Sequence, residues 1–149
     1  MLELCHLTRA YELGGERAGV FGVSLTVPRG CLAVLAGPSG SGKTTLLQLA
    51  GLLDTPDEGE VRLEGEPVSV LSEKARCDLR LRRLGFVFQA FNLVPVLSAL
   101  ENVMLPMDFC NMYSARERRE RALHLLAQVD MVEHAGNLPS QLSGGQQQR

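Results

Sequence analysis

A chain of 149 residues with 45% hydrophobic and 21% charged residues is long enough to bury a core and too apolar to be disordered. Its formal net charge of -2 leaves no global basic field of the kind that nucleic acid or an anionic membrane surface selects. No apolar run approaches the roughly 20 residues that span a bilayer, Met1 to Ala10 lacks a charged head followed by an apolar block, and Cys5, Cys31, Cys77 and Cys110 form no CxxC pair; membrane spans, a secretory leader, a zinc site and a disulfide scaffold are therefore not expected.

Residues 2–8 (LELCHLT) alternate apolar and polar as a half-buried strand does, and 20–27 (VFGVSLTV) predict a second strand ending at the turn Pro28-Arg29-Gly30. Residues 31–36 (CLAVLA) are apolar without alternation, which predicts a strand covered on both faces, and helical character follows from Lys43 to Leu53. Turn chemistry in 54–59 (DTPDEG) leads into an alternating stretch at 60–64 (EVRLE), expected in a small antiparallel layer. A polar helix is predicted over 72–83, then a short aromatic and β-branched strand over 85–89 (GFVFQ). Residues 91–105 are apolar and punctuated by Pro95 and Pro106, which predicts a loop running into a helix. Ser114 and Glu117 have the spacing of a capping box ahead of a helix to Val129, and 137–140 return to loop. Basic residues cluster at 74–83 and 116–121, but Asp78, Glu117 and Glu120 are interleaved with them, so solvated helix faces are expected there. His6, His124 and His134 lack ligand spacing and receive no role.

Gly37-Pro38-Ser39-Gly40-Ser41-Gly42-Lys43-Thr44 fits G-x-x-x-x-G-K-[ST] and lies between the predicted buried strand and the helix, the context this motif requires. Glycines let the backbone curl so that successive amides point at phosphate oxygens, and the helix that starts there adds its positive end. Lys43 is placed to reach the β- and γ-phosphates, and the Thr44 hydroxyl suits Mg²⁺, a hard cation that takes oxygen ligands. Lys43 and Lys74 are the only lysines among 15 basic residues, and a compact ammonium fits inside such a loop better than a planar guanidinium. The loop by itself would equally serve a small-molecule kinase or a GTPase.

Leu142-Ser143-Gly144-Gly145-Gln146 resolves that choice. Ser143 is a natural N-cap, and Gly144 and Gly145 expose backbone amides at a helix start, an anion site. With both motifs present, essentially the whole chain resembles the ATP-binding subunits of ABC transporters, in which LSGGQ is the signature motif. The resemblance implies a P-loop NTPase core of α/β class with an N-terminal antiparallel β layer and a helical subdomain. It divides the chain into a nucleotide-binding core over 1–96, a helical subdomain over 97–138 and the signature over 139–149.

The same resemblance implies that ATP is held by Gly37, Pro38, Ser39, Gly40, Ser41, Gly42, Lys43, Thr44 and Thr45. Tyr11, which falls between the first two predicted strands, would stack on adenine. Gln89 would be the Q-loop glutamine, sharing Mg²⁺ with Thr44 or orienting the attacking water. Ser143, Gly144, Gly145 and Gln146 would meet the γ-phosphate held by a second ATP-binding subunit, so that a homodimer sandwiches two nucleotides. Residues 91–97 (FNLVPVL) would face a polytopic membrane permease at the cytoplasmic side of the inner membrane, with no nucleic-acid partner. The flanks of Gln89 are most similar to the lipoprotein-release and macrolide-export group.

The family's Mg²⁺-linked aspartate, catalytic glutamate and switch histidine follow the signature and have no counterpart before Arg149. The expectation is a chain incomplete at its C-terminus, without turnover alone, with 31–36 partly uncovered and solubility poor. A soluble ABC-type ATPase acting on DNA or ribosomes is the rival from another class, disfavoured by an interval between the motifs too short for a coiled-coil insertion. A non-hydrolysing nucleotide-binding module is the second rival.

Overall fold

The computed structural model describes residues 1–110 and 113–149. It forms two compact units, residues 1–84 and 85–149.

The first unit is built on a four-stranded antiparallel sheet in the order β2-β1-β3-β4, with β1 Leu2–Leu13, β2 Glu16–Val27, β3 Glu58–Leu63 and β4 Glu66–Pro67. β1 and β2 are longer than the alternating stretches predict, because Gly14 and Gly15 sit at φ 60° and 88° and close a two-residue hairpin in the conformation that matches strand twist. Tyr11 therefore lies inside β1, paired with Ala18, and not between strands. The sheet packs Leu4, Leu7, Val20 and Val61 against Leu46, Leu49 and Leu52 at and beyond helix α1 (Lys43–Ala50). Helix α2 (Glu73–Arg83) starts at Ser72, whose hydroxyl accepts the amide of Ala75. Arg80 of α2 donates to the carbonyl of Leu52, and Arg76 to the hydroxyl of Thr55, while Glu73 accepts from both arginines.

The predicted strands at 31–36 and 85–89 do not form. Leu32 is 93% exposed, Val34 83% and Val87 96%, and among the described residues the ladder pairs are confined to β1–β4. An apolar run becomes a buried strand only where a neighbouring strand pairs with its backbone, and among the described residues neither segment has a ladder partner.

The second unit pairs α3 (Ala99–Cys110) with α4 (Ala115–Gln128), followed by 3₁₀ turns at Val132–His134 and Pro139–Gln141 and helix α5 (Gly144–Gln148). The predicted capping box is present: Ser114 accepts from Glu117 N, and Glu117 accepts from Ser114 N at 2.8 Å. Leu100, Ala122, Leu126, Met131 and Leu142 form its core. α3 runs through Pro106, which costs a backbone hydrogen bond; packing of Val103, Met104 and Met107 against that core offsets the loss. The amides of Ala99 and Leu100 donate to the carbonyls of Asn137 and Ala135, both at 2.9 Å, tying the start of α3 to the segment ahead of the signature. Asn102 holds the preceding loop through Val94, Leu97 and Ser98. The clustered arginines meet acidic neighbours, with Arg82 on Asp78 at 2.8 Å and Arg116 on Glu120 at 2.7 Å.

Candidate functional site

The loop of residues 37–42 enters α1 through Gly42, at φ 84° and with no side chain capping the helix. The first amides of α1 are therefore left without a side-chain acceptor, the arrangement that favours an anion. Lys43 folds over the loop: Nζ donates to the carbonyls of Gly37 at 2.9 Å and Pro38 at 2.6 Å, and to Ser41 Oγ at 3.4 Å. Thr44 is exposed and Thr45 half-buried in the first turn of α1. A hydroxyl oxygen in that position has the chemistry a hard divalent cation takes.

What seats the loop is a contact that sequence reasoning missed. A Cβ on Gly42 would stand 2.6 Å from Val20 Cγ1 and 3.0 Å from the carbonyl oxygen of Gly19, so the loop rests directly on β2. Gly19 is itself confined, since a Cβ there would meet Arg9 O at 1.9 Å. Nothing local in the sequence marks Gly19, because both of its close neighbours come from other segments of the chain.

Tyr11 lies one residue further along the same hairpin: Gly19 pairs with Ala10 and Ala18 with Tyr11. Its hydroxyl donates to Asp54 Oδ2 at 2.6 Å, and the Arg9 guanidinium lies 5.1 Å from its ring centroid. Arg9 in turn binds Asp54 at 3.0 Å and Asp57 at 2.6 Å, and Asp57 also accepts the amide of Ala10. These bonds hold Arg9 firmly protonated, through Tyr11 first and then Asp57. Partial burial pushes the Asp54 carboxyl up, but the Tyr11 hydroxyl, the Thr55 amide and Arg9 outweigh it and bring it below the usual carboxylate range. Asp57 is lowered by the Ala10 amide and Arg9.

In the second unit the signature is held by its own side chains. Ser143 Oγ accepts from Gln146 N at 3.3 Å, and Gln146 Oε1 accepts from Ser143 N at 2.8 Å. The other end of that carboxamide, Gln146 Nε2, lies 2.9 Å from His134 Nε2, so His134 orients it as an acceptor. Gln147 Nε2 donates to the carbonyls of Pro139 and Leu142 at 2.9 and 3.0 Å. Gly144 and Gly145 have no atom within 4 Å of where a Cβ would stand, leaving their backbone open. Sequence spacing gave no reason to single out His134, which sits 12 residues from Gln146. Gln89 is exposed in a turn and borders a cavity of about 780 Å³ together with Phe86, Phe88, Leu142 and Gln146. Tyr11 and Gly37–Thr45 thus belong to one unit, and Gln89 and Ser143–Gln146 to the other.

The ABC transporter family model matches residues 20–149. The lipoprotein-releasing system ATP-binding protein LolD of Paramagnetospirillum magneticum is 46% identical, over 99% of this chain and 66% of that protein. The macrolide export ATP-binding/permease protein MacB of Syntrophobacter fumaroxidans is 47% identical, over 100% of this chain and 21% of its own length. A solved dimeric structure, the ATP-binding cassette MJ0796 of Methanocaldococcus jannaschii in a post-hydrolysis state bound to ADP and Pi, superposes with a TM-score of 0.91 at 42% identity, covering 99% of this chain and 65% of that one. The chain thus spans a little under two thirds of the length of LolD and of the solved cassette. A match that begins at Val20 and runs to Arg149, on a backbone this similar and of the expected α/β kind, leaves one conclusion: the chain belongs to the ABC transporter family.

Proposed function

We propose that the chain is the nucleotide-holding and signature-bearing part of an ATP-binding subunit that powers an ABC transporter. In this reading Gly37–Thr45 enclose the phosphates, Lys43 contacts the β- and γ-phosphates, and Tyr11 stacks on adenine. Thr44 would offer its hydroxyl oxygen to Mg²⁺ in the first unit and Gln89 would offer its carboxamide oxygen in the second, and Mg²⁺, when bound, would neutralise charge on the phosphates. Ser143, Gly144, Gly145 and Gln146 present amides to a triphosphate held by a second copy, so that ATP drives dimerisation. The pair would act on a polytopic permease at the cytoplasmic face of the membrane, in export or lipoprotein release, the roles printed for the LolD and MacB relatives.

The observation that carries this reading is the seating of Gly42 on Gly19 and Val20. From Gly19 the ring platform is reached by one residue along β2, ~3.3 Å, and one strand across, ~4.8 Å. An aromatic ring and a phosphate loop held at that spacing in one unit suit the two ends of a nucleoside triphosphate.

Calorimetric titration of the chain with Mg-ATP is expected to show binding that Lys43→Ala weakens at least about tenfold, a loss of ~1.4 kcal/mol or more. Equal affinity in the variant would reject the site. A version of full family length is expected to co-purify with a polytopic membrane protein; recovery with ribosomes or DNA instead would reject the transport role.

A further inference from the structure

We propose that Arg9 is a positioning residue for nucleotide binding: its guanidinium, anchored by Asp54 and Asp57, backs the Tyr11 ring and sets it as a platform for a purine base. This rests on the reading of Tyr11 given above.

Two contacts converge on Tyr11, and both are anchored in turn. The hydroxyl is tied to Asp54 at 2.6 Å, which fixes where the ring's far end points. Arg9, two residues earlier and so on the same face of β1, lies 5.1 Å from the centroid, within the range of a cation–π contact. Arg9 cannot swing away without breaking its bonds to Asp54 at 3.0 Å and Asp57 at 2.6 Å, and Asp57 is itself held by the amide of Ala10 at 2.9 Å. The residue paired with Tyr11 across the ladder is the small Ala18, and Tyr11 remains only half-buried.

A ring left on an exposed strand without these contacts would sample several rotamers, and a base would have to stop that motion on arrival. Arg9 removes the motion beforehand. A cation on one side of a π-system also draws electron density from it, which favours an electron-rich purine on the other side. Stacking reads ring area, so the contribution of Arg9 belongs to the base half of the ligand and not to its phosphates.

The test compares Mg-ATP with Mg-tripolyphosphate on the whole 149-residue chain, by calorimetry. Arg9→Lys keeps a cation for Asp54 and Asp57 but loses the planar group; it is expected to weaken ATP about threefold to tenfold and tripolyphosphate by less than about twofold. Arg9→Ala should show the same split on top of any loss in melting temperature. Equal weakening of both ligands would mean that Arg9 only supports the fold, and unchanged ATP affinity would remove its role altogether. Tyr11→Ala separates the two readings: if it leaves the ratio of the two affinities unchanged, the base site at Tyr11 falls and this inference with it. If Tyr11→Ala moves the ratio and Arg9→Lys does not, the inference alone falls. In the ligand-free chain, the Arg9 guanidinium protons are expected upfield in the NMR spectrum and restored by Tyr11→Leu. Their absence from the upfield region would overturn the positioning role whatever the titrations give.

Discussion

Gly42 does two jobs at once. It adopts φ 84° at the entrance to α1, and it lies so close to Val20 and Gly19 that a methyl group has nowhere to go. Gly40 has a similar φ, 79°, but open space around it. Gly42→Ala is therefore expected to lower stability by about 1–3 kcal/mol and to displace the loop, whereas Gly40→Ala carries the backbone strain alone, about 1 kcal/mol. Chemical denaturation of the two variants checks this, and equal losses would show that the contact with β2 contributes nothing. Gly42 was legible as part of a motif, but its reason for being glycine was not. The spacing pointed to phosphate, and the partner it abuts lies in a strand that only the fold brings near. The same holds for His134: the cap made by Ser143 and Gln146 is local chemistry that a sequence shows, while the imidazole that orients Gln146 arrives through the turn at Val132–His134.

Helices were easier to read than strands. Ser72, Ser114 and Ser143 each cap a helix where the sequence places one, because a cap is satisfied within four residues. The runs at 31–36 and 85–89 have the apolar content of strands and form none, because a strand depends on partners far along the chain that apolar content does not reveal. α2 also carries a pH dependence. Arg80, then Cys77 and Arg76, hold the Glu73 carboxyl at about 2, below its ordinary value of 4.5. The folded state therefore binds the proton more weakly than the unfolded chain, so this contribution is intact above pH 4.5 and lost as pH falls toward about 2. Arg76 and Arg80 are the side chains that tie α2 to Thr55 and Leu52, so acid should loosen α2 first. Acid titrations followed by circular dichroism are expected to show a shallower loss across that window in Glu73→Gln than in the parent; identical curves would place the acid sensitivity elsewhere.

At the scale of the molecule, the antiparallel layer and the helical unit are made while the apolar segment 31–36 stays outside both cores. Leu32 and Val34 face solvent at 93% and 83%, and among the described residues the backbone there has no ladder partner, a combination that invites self-association. Val34→Lys is expected to reduce concentration-dependent association in sedimentation velocity without lowering the melting temperature, since the side chain it replaces touches little. Association that persists unchanged would assign the stickiness to another surface. The contact between Gly19 and Gly42 has the opposite character. Because Gly42 sits directly on Gly19 and Val20, the loop and the hairpin are held in register at that point, so on the proposed reading the two ends of the ligand are met by groups whose spacing is already set. Capture of a nucleotide then leaves the seat of the loop on the hairpin unchanged and asks only that Lys43 exchange the carbonyls of Gly37 and Pro38 for phosphate oxygens, a fast side-chain motion: the observed rate should climb in proportion to ligand concentration in a single phase, with no plateau set by a slow internal step.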